Sequence, residues 1–92
     1  MPSVTLRIPT PLQPHSDGNA SVTLEAASVG GAFEAVGEQY PALVQQILTR
    51  DGAVRRYVNV FVRRSDIREL DGLATALDDG DEIIVMPSVA GG

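Results

Sequence analysis

The chain has no cysteine, no tryptophan and no lysine. Without cysteine, disulfides, zinc-thiolate centres and thiol nucleophiles are excluded together. All seven basic residues are arginine, so the chain offers no side-chain amine and cannot be joined to itself through side-chain amides. Histidine occurs once, as His15 in a proline-rich stretch with no second histidine, cysteine or carboxylate at ligand spacing, which reads as a solvated loop residue. No apolar run is long enough to span a bilayer, and Met1-Pro2-Ser3-Val4 has neither the basic nor the apolar region of a signal peptide, so the expectation is a cytoplasmic domain. Twelve acids against seven arginines leave a net charge of −5, which argues against nucleic-acid binding and for soluble contact with basic partners. At 92 residues the chain makes one domain and can bury a core without metal or disulfide.

Val4-Thr5-Leu6-Arg7-Ile8 alternates apolar and polar residues, the period of a strand with one buried face, and Pro9 ends it. Residues 10–19 carry Pro11, Pro14 and Asp17-Gly18 and read as a long connecting loop. Ser21-Val22-Thr23-Leu24-Glu25 alternates again with Val22 and Leu24 inward, which predicts a hairpin with the first strand. Ser28 is placed to cap a helix whose apolar stripe is Val29, Ala32, Phe33, Val36 and Tyr40. Gly30, Gly31 and Gly37 weaken this helix by roughly 1 kcal/mol each relative to alanine. With no Walker lysine and no G-x-G-x-x-G, they read as close packing on a sheet rather than a phosphate-binding turn. Pro41 breaks the helix, and Leu43, Val44, Ile47 and Leu48 add a short second one before Asp51-Gly52.

The stretch 55–64 reads as a strand with Val58, Val60 and Val62 toward the core and Tyr57, Asn59 and Phe61 on the other face, because asparagine is costly to bury without partners. Arg55, Arg56, Arg63 and Arg64 bracket it as solvated ends. Residues 65–70 read as irregular, and Gly72 to Leu77 as a small apolar turn or short helix. Asp78-Asp79-Gly80-Asp81-Glu82 is a turn whose acids lack the spacing of an EF-hand loop, so no metal is expected there. The last strand, 83–86, should bury Ile83 and Val85 and set Ile84 and Met86 beside the aromatic pair. Tyr57, Phe61, Ile84 and Met86 then form an apolar patch that the single helix cannot cover, and such patches on small proteins mark partner sites.

After Pro87 comes Ser88-Val89-Ala90-Gly91-Gly92. Glycine lets the backbone pass through a channel too narrow for side chains. The segment from Pro87 to Gly92 reaches roughly 20 Å when extended, at about 3.5 Å per residue. The order strand, strand, helix, strand, strand predicts an α+β fold of the β-grasp, or ubiquitin-like, type. In it a mixed sheet carries one main helix on one face, and the first and last strands are parallel neighbours at the centre. The expected organisation is a β-grasp domain over 1–87 and a diglycine tail over 88–92.

Ile8-Pro9-Thr10 with Pro14-His15, Val58-Asn59-Val60, Gly72-Leu73-Ala74-Thr75, Asp79-Gly80-Asp81 and Pro87-Ser88-Val89-Ala90-Gly91-Gly92 together resemble the ThiS/MoaD family of bacterial ubiquitin-like sulfur carriers, and within it the CysO-type carriers of actinobacterial cysteine biosynthesis. Ser88 departs from the family, which often has proline or alanine there. The resemblance implies that an E1-like (MoeB/ThiF-type) enzyme adenylates the Gly92 carboxylate with ATP and magnesium. A sulfur donor then displaces AMP, and the resulting thiocarboxylate donates sulfur to a downstream synthase. On this reading Gly92 is the site of sulfur attachment, Ser88, Val89, Ala90 and Gly91 thread into the partner, and Tyr57, Phe61, Ile84 and Met86 dock on it. The carrier itself binds no cofactor or metal and has no catalytic residue, being a protein substrate rather than an enzyme. The acceptor could serve cysteine synthesis, molybdopterin, thiamin thiazole or a sulfur-containing secondary metabolite such as a thiosugar. Two further readings use the same residues: a ubiquitin-like modifier joined through Gly92 to lysines of other proteins, and a β-grasp binding module with an inert tail.

Overall fold

The computed structural model describes residues 1–87; the expectations for Ser88, Val89, Ala90, Gly91 and Gly92 lie outside the described residues. Five strands form one mixed sheet in the order β2-β1-β5-β3-β4. They are β1 Ser3–Arg7, β2 Ser21–Glu25, β3 Val58–Val62, β4 Ser65–Asp66 and β5 Glu82–Pro87. β1 and β2 are an antiparallel hairpin, β1 and β5 run parallel at the centre, and β5 pairs antiparallel with β3. The hairpin and the central parallel pair are those the strand and helix order predicts.

Alternation explains which face is buried. Val4 and Leu6 of β1, Val58, Val60 and Val62 of β3, and Ile83 and Val85 of β5 point to one side and are buried. Across that side lies helix α1, Val29–Gln39, with Val29, Ala32, Phe33 and Val36 buried against them. Ser28 caps the helix through its Oγ, which accepts from the Gly31 amide at 3.1 Å. Tyr40 falls just past the last helical residue, because a residue preceding proline is pushed out of the α region, and its φ and ψ are −131° and 70°. Pro41 then starts α2, Pro41–Ile47, at the first-turn position where proline costs no hydrogen bond. Leu43 and Ile47 of α2 close one end of the core.

Four expectations need correction. Residues 10–19 are not all loop: Thr10–Ser16 is a 3-10 helix, started by Pro11 and held by bonds such as Leu12 N to Pro9 O at 2.9 Å. The strand expected over 55–64 covers only Val58–Val62, because the Arg55 amide donates to Ile47 O at 2.9 Å and the chain turns through 56–57. Residues 65–70 are more regular than expected, with Ser65–Asp66 pairing as β4 and Ile67–Glu69 forming a 3-10 turn. The helix glycines do not pack on the sheet. A Cβ on Gly30 would meet Leu73 O at 3.1 Å, and one on Gly37 would meet the Val44 side chain at 3.5 Å. The neighbours of Gly30 and Gly37 are the 72–74 turn and α2, and those of Gly31 are Ser28 and Ala26.

The acidic turn before β5 is a structural tie rather than a merely solvated loop. Asp79 Oδ1 accepts from the Ser3 amide at 2.8 Å, the Gly80 amide donates to Ser3 O at 2.8 Å, and the Thr5 amide donates to Asp81 O at 3.0 Å. Gly80, at φ 89°, supplies the left-handed turn residue. These bonds bring the start of β5 beside the start of β1 and so aim the chain's last strand up the middle of the sheet.

Candidate docking face and tail exit

The face of the sheet away from α1 divides into two halves. On β1 and β2 it carries Ser3, Thr5 and Arg7 opposite Glu25, Thr23 and Ser21. On β5 and β3 it carries Ile84 opposite Phe61 and Met86 opposite Asn59. Cross-strand neighbours of this kind are close enough to share one surface. Ile84 is 39% exposed and Met86 53%. Phe61 is half-buried and does not belong to the group packed against the core.

Tyr57, 49% exposed, lies in the turn just before β3 rather than in the strand. What holds that turn is Arg68, to which the sequence reading gives no role. Its Nη2 donates to the carbonyls of Arg55 at 3.1 Å and Val58 at 2.8 Å, and its Nη1 to Asn59 Oδ1 at 3.2 Å. Asp66 lies 3.5 Å from the same Nη1. One side chain thus fixes the backbone on both sides of Tyr57 and supplies the partner that Asn59 needs on a half-buried face. Its position in an irregular-looking segment hides this role in the sequence, where only the adjacent Asp66 hints at an anchored guanidinium.

The patch has charged borders. Arg7 sits beside Ile84 in the β1–β5 register and pairs with Glu82 at 3.0 Å. Arg63 is tied to Asp81 and, at 3.2 Å, to the Ala76 carbonyl, with Asp78 at 3.5 Å. Arg55 donates to Gln45 O at 3.0 Å. Arg55 and Arg63 are therefore held by the fold rather than loose strand ends, whereas Arg56 and Arg64 are exposed. β5 reaches Pro87 opposite Val58, so the last described residue lies at the end of the patch that holds Met86. His15 lies partly exposed in the 3-10 helix. Among the described residues, no group of three histidine, cysteine or acidic side chains is placed to hold a metal, and no helix is long and apolar enough to cross a membrane.

The sheet order, the crossing helix and a last strand that leads straight into the C-terminal segment define a β-grasp protein of the ubiquitin-like class. The chain belongs to the ThiS family, whose sequence model matches residues 6–92. It is 36% identical over 92 residues to the sulfur carrier protein CysO of Mycobacterium tuberculosis, covering 98% of this chain and 99% of that one. It is 42% identical over 66 residues to small archaeal modifier protein 3 of Haloferax volcanii, covering 72% and 71%. Its fold superposes on a crystal structure of the Amycolatopsis orientalis BexX/CysO complex with a TM-score of 0.87 at 34% identity, covering 97% of this chain and 99% of that one. Family membership makes this chain a carrier, a small protein substrate of partner enzymes, rather than an enzyme.

Proposed function

We propose that this chain carries sulfur as a thiocarboxylate on Gly92. The observation that carries the proposal is that the ThiS match runs through residue 92, so that Gly91-Gly92 belongs to the family pattern. A carboxylate is a poor electrophile at neutral pH and must be activated. In the proposed sequence the Gly92 carboxylate attacks the α-phosphorus of ATP on an E1-like enzyme, with magnesium, and pyrophosphate leaves. A sulfide-level donor then attacks the acyl carbon and AMP leaves. The thiocarboxylate sulfur is afterwards passed to the acceptor of a downstream synthase. Similarity to CysO favours cysteine synthesis as the destination.

In this account the chain contributes position, not chemistry. Phe61, Ile84 and Met86, with Tyr57 beside them, seat the domain on the enzyme, and Ser88 to Gly91 carry Gly92 into the nucleotide pocket. Deleting Gly92 should abolish adenylation, because the carboxylate then falls a residue short and catalysis tolerates little misplacement. Gly91→Val should bind but react poorly, since a β-branched side chain stiffens and crowds the threaded segment. A Gly92 deletion that remains fully active in its pathway would refute the proposal and leave a binding module with an inert tail.

The similarity to a small archaeal modifier protein favours one second reading, conjugation of the same activated terminus to lysines of other proteins. An isopeptide-linked Gly-Gly remnant on acceptor lysines, lost when Gly92 is deleted, is the expected signature of that reading.

A further inference from the structure

The turn between β3 and β4 has two residues, Arg63 and Arg64, with φ of 51° and 69°. A two-residue hairpin turn with both residues left-handed normally takes asparagine and glycine, because glycine has no Cβ and asparagine's short polar side chain can bond locally, whereas a longer side chain is strained there. Arg63 is compensated within the fold: its guanidinium is held by Asp81, Asp78 and the Ala76 carbonyl. Arg64 is not. It is exposed and, among the described residues, makes no hydrogen bond or ion pair. It lines a shallow depression with Arg63, Gly80, Asp81, Glu82 and Ile84, at the margin of the apolar patch. The acids of that depression are already engaged, Asp81 by Arg63 and Glu82 by Arg7. The fold therefore holds an arginine in a costly conformation, on the margin shared with Ile84, with no partner among the described residues.

We infer that Arg64 is a specificity-determining contact of the docking face, displayed by the Arg63-anchored turn, and that its occupant is a carboxylate at the rim of the apolar seat on the partner enzyme. This rests on the docking role proposed for Phe61, Ile84 and Met86. Since the chain as a whole is acidic, at −5, and suits a largely basic partner, a cation at this margin that meets one carboxylate would fix the orientation of approach. Arg63 is a positioning residue in this scheme.

The test uses the full chain and the E1-like enzyme that adenylates it, with association rates measured at low and physiological salt. Arg64→Glu should slow association about tenfold at low salt, with the difference shrinking as salt rises. Arg64→Lys should keep most of the parental rate. Arg64→Gly should slow association while its Tm equals or exceeds the parent's, since it relieves the left-handed residue and removes no contact. An unchanged rate for Arg64→Glu at low salt, or a lower Tm for Arg64→Gly, overturns the inference. Phe61→Ala separates the two layers. If Phe61→Ala weakens binding and Arg64→Glu does not, only the arginine contact is wrong; if Phe61→Ala has no effect, the docking face itself is wrong.

Discussion

Thr75 and Ser16 are the buried polar side chains of the described fold, and each closes a turn. Thr75 Oγ1 donates to Gly72 O at 2.7 Å and accepts from the Asp71 amide at 3.1 Å, while its carbonyl accepts from Val29 N at 3.1 Å, joining the 72–74 turn to the start of α1. Thr75→Val keeps the shape and leaves Gly72 O its bond from the Thr75 amide, but strands the Asp71 amide, and should cost about 1–3 kcal/mol in denaturant unfolding. Arg68→Ala should cost about 1–2 kcal/mol, because charged donors to backbone carbonyls are among the stronger bonds and one of the three is partly buried. Hydrogen exchange should quicken at Val58 and Asn59 in that variant; unchanged exchange there would mean that Arg68 does not hold the turn. Neither role is legible in the sequence. Thr75 sits among small apolar residues, and Arg68 reaches main-chain carbonyls ten and thirteen residues away. Such long-range bonds leave no periodic trace.

At the scale of elements, one-sided strands were readable because their period is two and one face is buried: Val4 and Leu6, the three valines of β3, and Ile83 and Val85 all fall as alternation predicts. Strand ends were not readable. The valine alternation gives no reason for the strand to start at Val58, and bonds from Arg55 to Ile47 and Gln45 decide it. The 3-10 helix at Thr10–Ser16 was hidden because Pro11 and Pro14 punctuate loops and short helices alike. The glycines of α1 allow a test of what they pack against. Gly37→Ala places its methyl at ordinary contact distance from Val44 and should stabilise by about 0.5–1 kcal/mol through helix propensity. Gly30→Ala meets a backbone oxygen at 3.1 Å and should lose that gain. Equal stabilisation by both would show that Gly30 is not needed for close approach to the 72–74 turn.

For the whole molecule, a β-grasp core supports a half-apolar open face and sends its last strand to the edge of that face. The two surfaces should respond differently to truncation. Phe33→Ala, in the core, should cost about 3–5 kcal/mol. Phe61→Ala and Met86→Ala should leave Tm nearly unchanged and weaken binding to the activating enzyme by tenfold or more. A large loss of stability with normal activation would return those side chains to the core. The core, the first hairpin, the parallel pairing of the first and last strands and the apolar patch could be read from residue patterns, whereas β4 could not, nor could any role of the terminus, because glycine has no side chain with which to announce chemistry. The role proposed for it rests on the run of motifs ending in Val-Ala-Gly-Gly and on the family match through residue 92. The central claim is therefore tested most directly by intact-protein mass spectrometry of the chain after incubation with its E1-like enzyme, ATP, magnesium and a sulfide source. The account predicts a mass change equal to replacement of one oxygen by sulfur, confined to the C-terminal peptide and absent when Gly92 is deleted. An unmodified C-terminal peptide, with no adenylate and no thiocarboxylate formed by an enzyme that binds the chain, would contradict it.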